Sequence, residues 1–158
     1  MKIIFLDIDG VLVTMKRNYE DIQNKDLREE RHNYFDPAAV GLLNRLTEES
    51  GAKIVISSSW GRVFYLEEIR KVFRNGEITG EVIDVTTTIY PGPGNREDQR
   101  GLEIQQWLDN HPQTSSYVII DDRVDSIEEH HPGKFIETNS RDGFSELDMY
   151  LKAREILN

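Results

Sequence analysis

The sequence predicts an α/β fold: a mostly parallel central sheet with helices on both faces. Three observations carry that reading. Short apolar runs alternate along the chain with stretches of helical spacing, the pattern of successive strand–helix units. The runs are continuous rather than alternating, as expected of strands covered on both faces. Three of them stop abruptly at polar residues, namely Asp7, Ser57 and Asp121. Strands of open α/β sheets end in this way at the edge where ligands bind.

The elements follow in order. Lys2 to Leu6 reads as a buried central strand. Residues 13–35 are charged and poorly periodic, and read as a polar flap or minimal cap. Asp36-Pro37 places an N-cap before a proline at the first helical position. Val40, Leu43 and Leu46 follow at helical spacing, and Gly51 ends that helix. Lys53 to Ile56 is a second strand, leading into Ser57-Ser58-Ser59-Trp60. A helix with Leu66, Ile69 and Val72 on one face runs to Gly76. Glu81 to Thr86 is the third strand, and Pro91 to Asn95 a turn-rich loop. Arg100 to Asn110 is a helix carrying Leu102, Ile104 and Leu108, closed by His111-Pro112. Tyr117 to Ile120 is the next strand, ending in Asp121-Asp122. His130-His131 reads as a polar loop and Lys134 to Glu137 as an edge strand. From Ser145 a closing amphipathic helix carries Leu147, Leu151 and Ile156.

Bulk properties narrow the function classes. The 158 residues suit one domain with a real core, and the sequence is read as a single domain over residues 1–158. Hydrophobic residues are 37 % and charged residues 30 %, which fits a globular chain. No apolar run approaches the roughly 20 residues of a membrane span. The apolar start is broken by Asp7 and Asp9, unlike a signal peptide. Without cysteine there is neither a disulfide framework nor thiolate chemistry. The expected location is cytoplasmic, with no membrane partner. A net charge of −10 argues against high-affinity non-specific binding of nucleic acid.

If the three polar-ended strands are neighbours, Asp7, Asp9, Asp121 and Asp122 converge with the hydroxyls of Ser57 and Ser58. Four crowded carboxylates need a counter-charge. An oxygen-only donor set suits a hard cation, and Mg²⁺ is the expected one. Zinc is disfavoured, since there is no cysteine and His32, His111, His130 and His131 lack ligand spacing. Such a site suits a phosphoryl group. An aspartate can attack phosphorus, and a second acid two residues on can protonate the leaving oxygen and then activate water. Gly10 fits a strand that turns sharply beneath a ligand.

These residues resemble a known family. Phe5-Leu6-Asp7-Ile8-Asp9-Gly10-Val11-Leu12 is similar to the first motif of the haloacid dehalogenase (HAD) superfamily. Ile54-Val55-Ile56-Ser57 resembles the second, and Val118-Ile119-Ile120-Asp121-Asp122-Arg123 the acidic fourth. The third motif is a basic residue near the start of the preceding helix, here Arg100, with Arg96 as the second choice. The resemblance spans essentially the whole chain. It implies a HAD-like Rossmannoid fold without a large cap, and a Mg²⁺-dependent phosphatase. In it Asp7 would be nucleophile and metal ligand. Asp9 would be general acid/base and bind metal through its main-chain carbonyl. Ser57 would hold phosphate and Arg100 would stabilise its charge. Asp121 and Asp122 would serve the metal, one directly and the other behind it.

The Ser-Ser-Ser-Trp run with Arg62, and the Asp-Asp-Arg ending, also look like HAD domains of nucleic-acid end-repair proteins. Gly10, Ser58, Arg62 and Arg96 are then the expected substrate contacts. The substrate would be a nucleic-acid end carrying a 3′-phosphate. Alternatively it is a mononucleotide or a small phosphorylated metabolite. Two other classes compete. In a phosphoacceptor signalling domain the acidic pair follows the first strand and the phosphorylated Asp ends a later one, an order that fits poorly. A binding module with a degenerate site would lack some acidic positions, and all of them are present.

Overall fold

A computed structural model describes residues 1–17, 35–90 and 99–158, and leaves the side chain of Asp125 undescribed. Five strands, β1 (Lys2–Leu6), β2 (Lys53–Ile56), β3 (Val82–Val85), β4 (Ser116–Asp121) and β5 (Phe135–Glu137), form one sheet in the order β3-β2-β1-β4-β5. Every pairing is parallel. The helices are α1 (Pro37–Ser50), α2 (Leu66–Asn75), α3 (Arg100–Asp109), α4 (Asp125–His130) and α5 (Leu147–Leu157). A 3-10 turn, Ser59–Arg62, joins β2 to α2. Most of the flap expected over residues 13–35 lies outside the described residues.

The sheet order makes the three motif strands neighbours. Leu6 pairs with Ile56 on one side and Ile120 on the other. The next residue of each strand therefore falls on one row, which is Asp7, Ser57 and Asp121. The ladder continues through them: the Asp7 N–H donates to the Ile120 carbonyl at 3.0 Å, and the Ser57 N–H to the Leu6 carbonyl at 2.9 Å.

Alternate residues of β1 feed two separate cores, as a strand period of two requires. Ile4 and Leu6 pack with α1, α2 and α5, while Ile3 and Phe5 pack with α3 and α4. Phe5 meets Trp107 of α3 edge to face at 5.3 Å. Helices thus cover both faces. Helix α1 starts and stops as its caps dictate. The Asp36 carboxylate accepts from the N–H groups of Ala38 and Ala39 at 2.8 and 3.3 Å, and Gly51 closes the helix at φ +68°.

Three sequence expectations need correction. In α5 the buried stripe is Tyr150, Ala153 and Leu157, while Leu147 and Leu151 face solvent. A tyrosine and an alanine at the right spacing outrank two leucines at the wrong one. In α3 the buried face is Arg100, Gly101, Glu103, Ile104 and Trp107, and Leu102 is exposed. The charged members of this face are paired: Arg100 meets the buried Asp7 and Asp121, and Glu103 accepts from the Ile89 N–H at 2.9 Å. Finally, His130-His131 is not a polar loop. His130 ends α4, and His131 is buried, with Nε2 bonded to the Gly101 carbonyl at 2.8 Å and Nδ1 to the Tyr117 hydroxyl at 3.0 Å. No helix among the described residues is long and apolar enough to cross a membrane.

Candidate active site

The carboxyl edge of the sheet opens into a cleft of about 270 Å³, lined among others by Asp7, Asp9, Gly10, Ser59, Arg100, Asp122 and Arg123. Asp7, Asp121 and Asp122 each bring a carboxylate oxygen within 4.8 Å of the others. Asp7 and Asp121 are buried and Asp122 is half-buried. Burial and the charge of Asp7 push the Asp121 carboxyl up to about 8, against the pull of Arg100. The same two causes raise Asp122. The trio therefore holds more negative charge than its surroundings neutralise.

Arg100 is a buried cation within this cluster. Its Nη1 donates to Asp121 at 2.6 Å, lies 3.5 Å from Asp7 and donates to the Ser57 carbonyl. The side chain is buried, and its helix is pinned at the next residue. There the Gly101 N–H donates to Ser126 Oγ at 2.9 Å and the Gly101 carbonyl meets His131. A Cβ at Gly101 would stand 2.3 Å from the Ser126 carbonyl oxygen, so glycine lets α3 and α4 approach at this point. The buried histidine thus serves the placement of Arg100, a role the sequence pattern concealed.

Gly10 makes the loop after β1 possible. It sits at φ +84°, where L-residues are strained. A Cβ there would lie 2.2 Å from Oδ2 of Asp122. The loop is tied down as the Ile8 carbonyl accepts from three successive N–H groups, Val11 to Val13, and the Gly10 carbonyl accepts from the Thr138 hydroxyl at 2.8 Å. Asp9 projects into the cleft as an exposed residue, and one carboxylate oxygen accepts from Trp60 Nε1 at 3.0 Å.

Of the residues expected from sequence, Asp7, Asp9, Gly10, Arg100 and Asp122 line the cleft. Asp121 stands behind them, held by Arg100 and by the Arg123 N–H at 3.0 Å. Ser57 is fully buried at the Arg100 junction, and its hydroxyl has no hydrogen-bond partner among the described residues. Such an orphan costs free energy unless a ligand completes it. Ser58 is not at the cleft. Its side chain caps the 3-10 turn, accepting from the Trp60 N–H at 3.4 Å, and Ser59 takes the lining position. Arg62 also stays outside, 3.6 Å from buried Glu103. Arg96 lies outside the described residues. Trp60 and Trp107 are buried aromatics.

The donor set fits a hard divalent cation: oxygen ligands only, an excess of negative charge, and a glycine that leaves room for Asp122. A family model described as the HAD domain in Swiss Army Knife RNA repair proteins matches residues 3–149. The chain belongs to this HAD family. Neither the curated proteins nor the solved structures gave a match. The match covers all five strands apart from Lys2 and includes every residue of the cleft described above.

Proposed function

We propose that this HAD domain is a Mg²⁺-dependent phosphatase that removes a terminal phosphate from an RNA end through an aspartyl phosphate on Asp7. One observation carries the reading: Asp7 shares a cleft with a general-acid candidate, Asp9, and a buried arginine, beside an orphaned hydroxyl at Ser57. A carboxylate oxygen of Asp7 attacks phosphorus, forming the Asp7–phosphorus bond as the bond to the leaving oxygen breaks. Asp9 gives that oxygen its proton. Water then attacks phosphorus and passes a proton to Asp9, the Asp7–phosphorus bond breaks, and inorganic phosphate leaves.

Each other residue has a defined task. Arg100 holds Asp7 and Asp121 in place and lends positive charge to the phosphoryl oxygens. The Ser57 hydroxyl donates to one of those oxygens. Asp7, Asp122 and the main-chain carbonyl of Asp9 would hold Mg²⁺, and Asp121 would support them from behind. The bound cation would supply the charge that offsets the carboxylate trio and the phosphate together. Arg123, exposed at the cleft wall, is placed to meet a further phosphate of a polynucleotide. The family's association with RNA repair supports an RNA end over a free metabolite.

The test is phosphate release, with Mg²⁺ or with chelator, from three substrates: a 3′-phosphorylated oligoribonucleotide, its 5′-phosphorylated counterpart and mononucleotides. Mg²⁺-dependent release mainly from the 3′-phosphorylated oligoribonucleotide supports the proposal. Preferential release from mononucleotides would make the domain a nucleotidase instead.

A further inference from the structure

Trp60 belongs to the Ser-Ser-Ser-Trp run, yet the chemistry above leaves it unused. Its ring lies in the core at 8 % exposure, against Phe64 at 5.4 Å and Phe35 at 6.4 Å. The backbone around it is fixed as well. Ser58 Oγ accepts the Trp60 N–H, and the Trp60 carbonyl accepts from Val63 and Phe64 at 3.1 and 2.9 Å. From this fixed ring the indole N–H reaches out to Oδ2 of Asp9 at 3.0 Å. A rigid donor thus meets an exposed carboxylate on the lip of the cleft.

We propose that Trp60 is a positioning residue that fixes the rotamer of Asp9 and assigns its two oxygens different tasks. An indole N–H only donates, so the oxygen it meets serves as an acceptor. Oδ2 is anchored to the ring. Oδ1 is the oxygen that gives the proton to the leaving group and takes one back from water. An exposed aspartate without such an anchor samples several rotamers, and few of them place an oxygen at the scissile bond. The inference rests on the acid/base reading of Asp9.

The experiment compares kcat/KM for two substrates in Mg²⁺: a ribose 3′-phosphate, whose alkoxide must be protonated to leave, and p-nitrophenyl phosphate, whose phenolate leaves unaided. The wild-type protein is assayed first. Trp60→Phe keeps most of the ring and removes the donor. Replacing Trp60 with 3-benzothienyl-alanine keeps the bicyclic shape and exchanges N–H for sulfur, so it stands even if Trp60→Phe folds poorly. With either replacement we expect the ribose substrate to lose about tenfold in kcat/KM and the p-nitrophenyl substrate to change by less than about twofold. Equal loss on both substrates, or no loss on either, overturns the role of Trp60 and leaves the phosphatase reading standing. Absence of Mg²⁺-dependent turnover in the wild-type protein would instead overturn the phosphatase reading, and this role with it.

Discussion

Gly10→Ala separates two effects that a glycine can hide. The residue sits at φ +84°, and an alanine Cβ would stand 2.2 Å from Oδ2 of Asp122, where real Cβ contacts essentially never fall below 3.0 Å. The carboxylate must retreat by about 1 Å, a misplacement that costs up to about 100-fold at a reacting centre. The left-handed backbone adds about 1–2 kcal/mol of strain, which lowers Tm by roughly 2–8 °C in a chain of this size. Gly51 supplies the control. It lies at φ +68° with nothing within 4 Å of its Cβ position. Gly51→Ala should therefore lower Tm by a similar amount and leave turnover unchanged. For Gly10→Ala, a Mg²⁺ titration of phosphate release should show kcat/KM down about 100-fold and half-activation at about tenfold more Mg²⁺. Normal rate and normal Mg²⁺ dependence in Gly10→Ala would refute the reasoning. So would equal losses of activity in the two variants.

Three further outcomes are expected. Arg100→Met leaves Asp121 and Asp7 buried without their guanidinium. It should cost about 3–5 kcal/mol in urea unfolding and nearly all turnover; a loss near zero would remove Arg100 from the cluster. In chelator, the raised carboxyls of Asp121 and Asp122 bind more protons when folded than when unfolded. The contribution of Asp121 is present at low pH and is lost as pH rises from the ordinary 3.8 towards about 8, and that of Asp122 is lost in the same direction. Asp121→Asn should flatten that fall in urea midpoint, as should Mg²⁺; a slope unchanged by both would contradict the charge excess. His131 is pulled below its ordinary 6.5, mainly by burial, so its contribution is present above that pH and is lost as pH falls below it. His131→Gln should reduce the loss of Tm between pH 7 and pH 5, and an unchanged loss would show that His131 takes up its proton alike in the folded and the unfolded chain.

Much of this was legible in the sequence because strand ends announce themselves. Asp7, Ser57 and Asp121 each interrupt an apolar run, and parallel pairing alone puts them on one row. The caps of α1 were equally plain, since Asp36-Pro37 and Gly51 act locally. What stayed hidden depends on contacts distant in sequence. The choice of Ser59 over Ser58 as a lining residue follows from the 3-10 turn, where Ser58 is spent as a cap. The link from Trp60 to Asp9 joins residues 51 positions apart. Helix α4 has only six residues, too few for a periodic signal, and its neighbour His131 looked polar because its partners, Gly101 and Tyr117, lie elsewhere. Arg62 looked like a substrate contact because its nearness to Glu103 is invisible in the chain.

The central claim is that Asp7 carries the phosphoryl group. The most direct measurement is to quench the Mg²⁺-loaded protein during turnover of a 3′-phosphorylated oligoribonucleotide, reduce it with borohydride, and read the peptide containing residue 7 by mass spectrometry. An aspartyl phosphate is reduced to homoserine, so homoserine should appear in place of Asp7 only when substrate and Mg²⁺ are both present. Continued phosphate release with Asp7 unmodified, or with homoserine at another aspartate, would contradict the account.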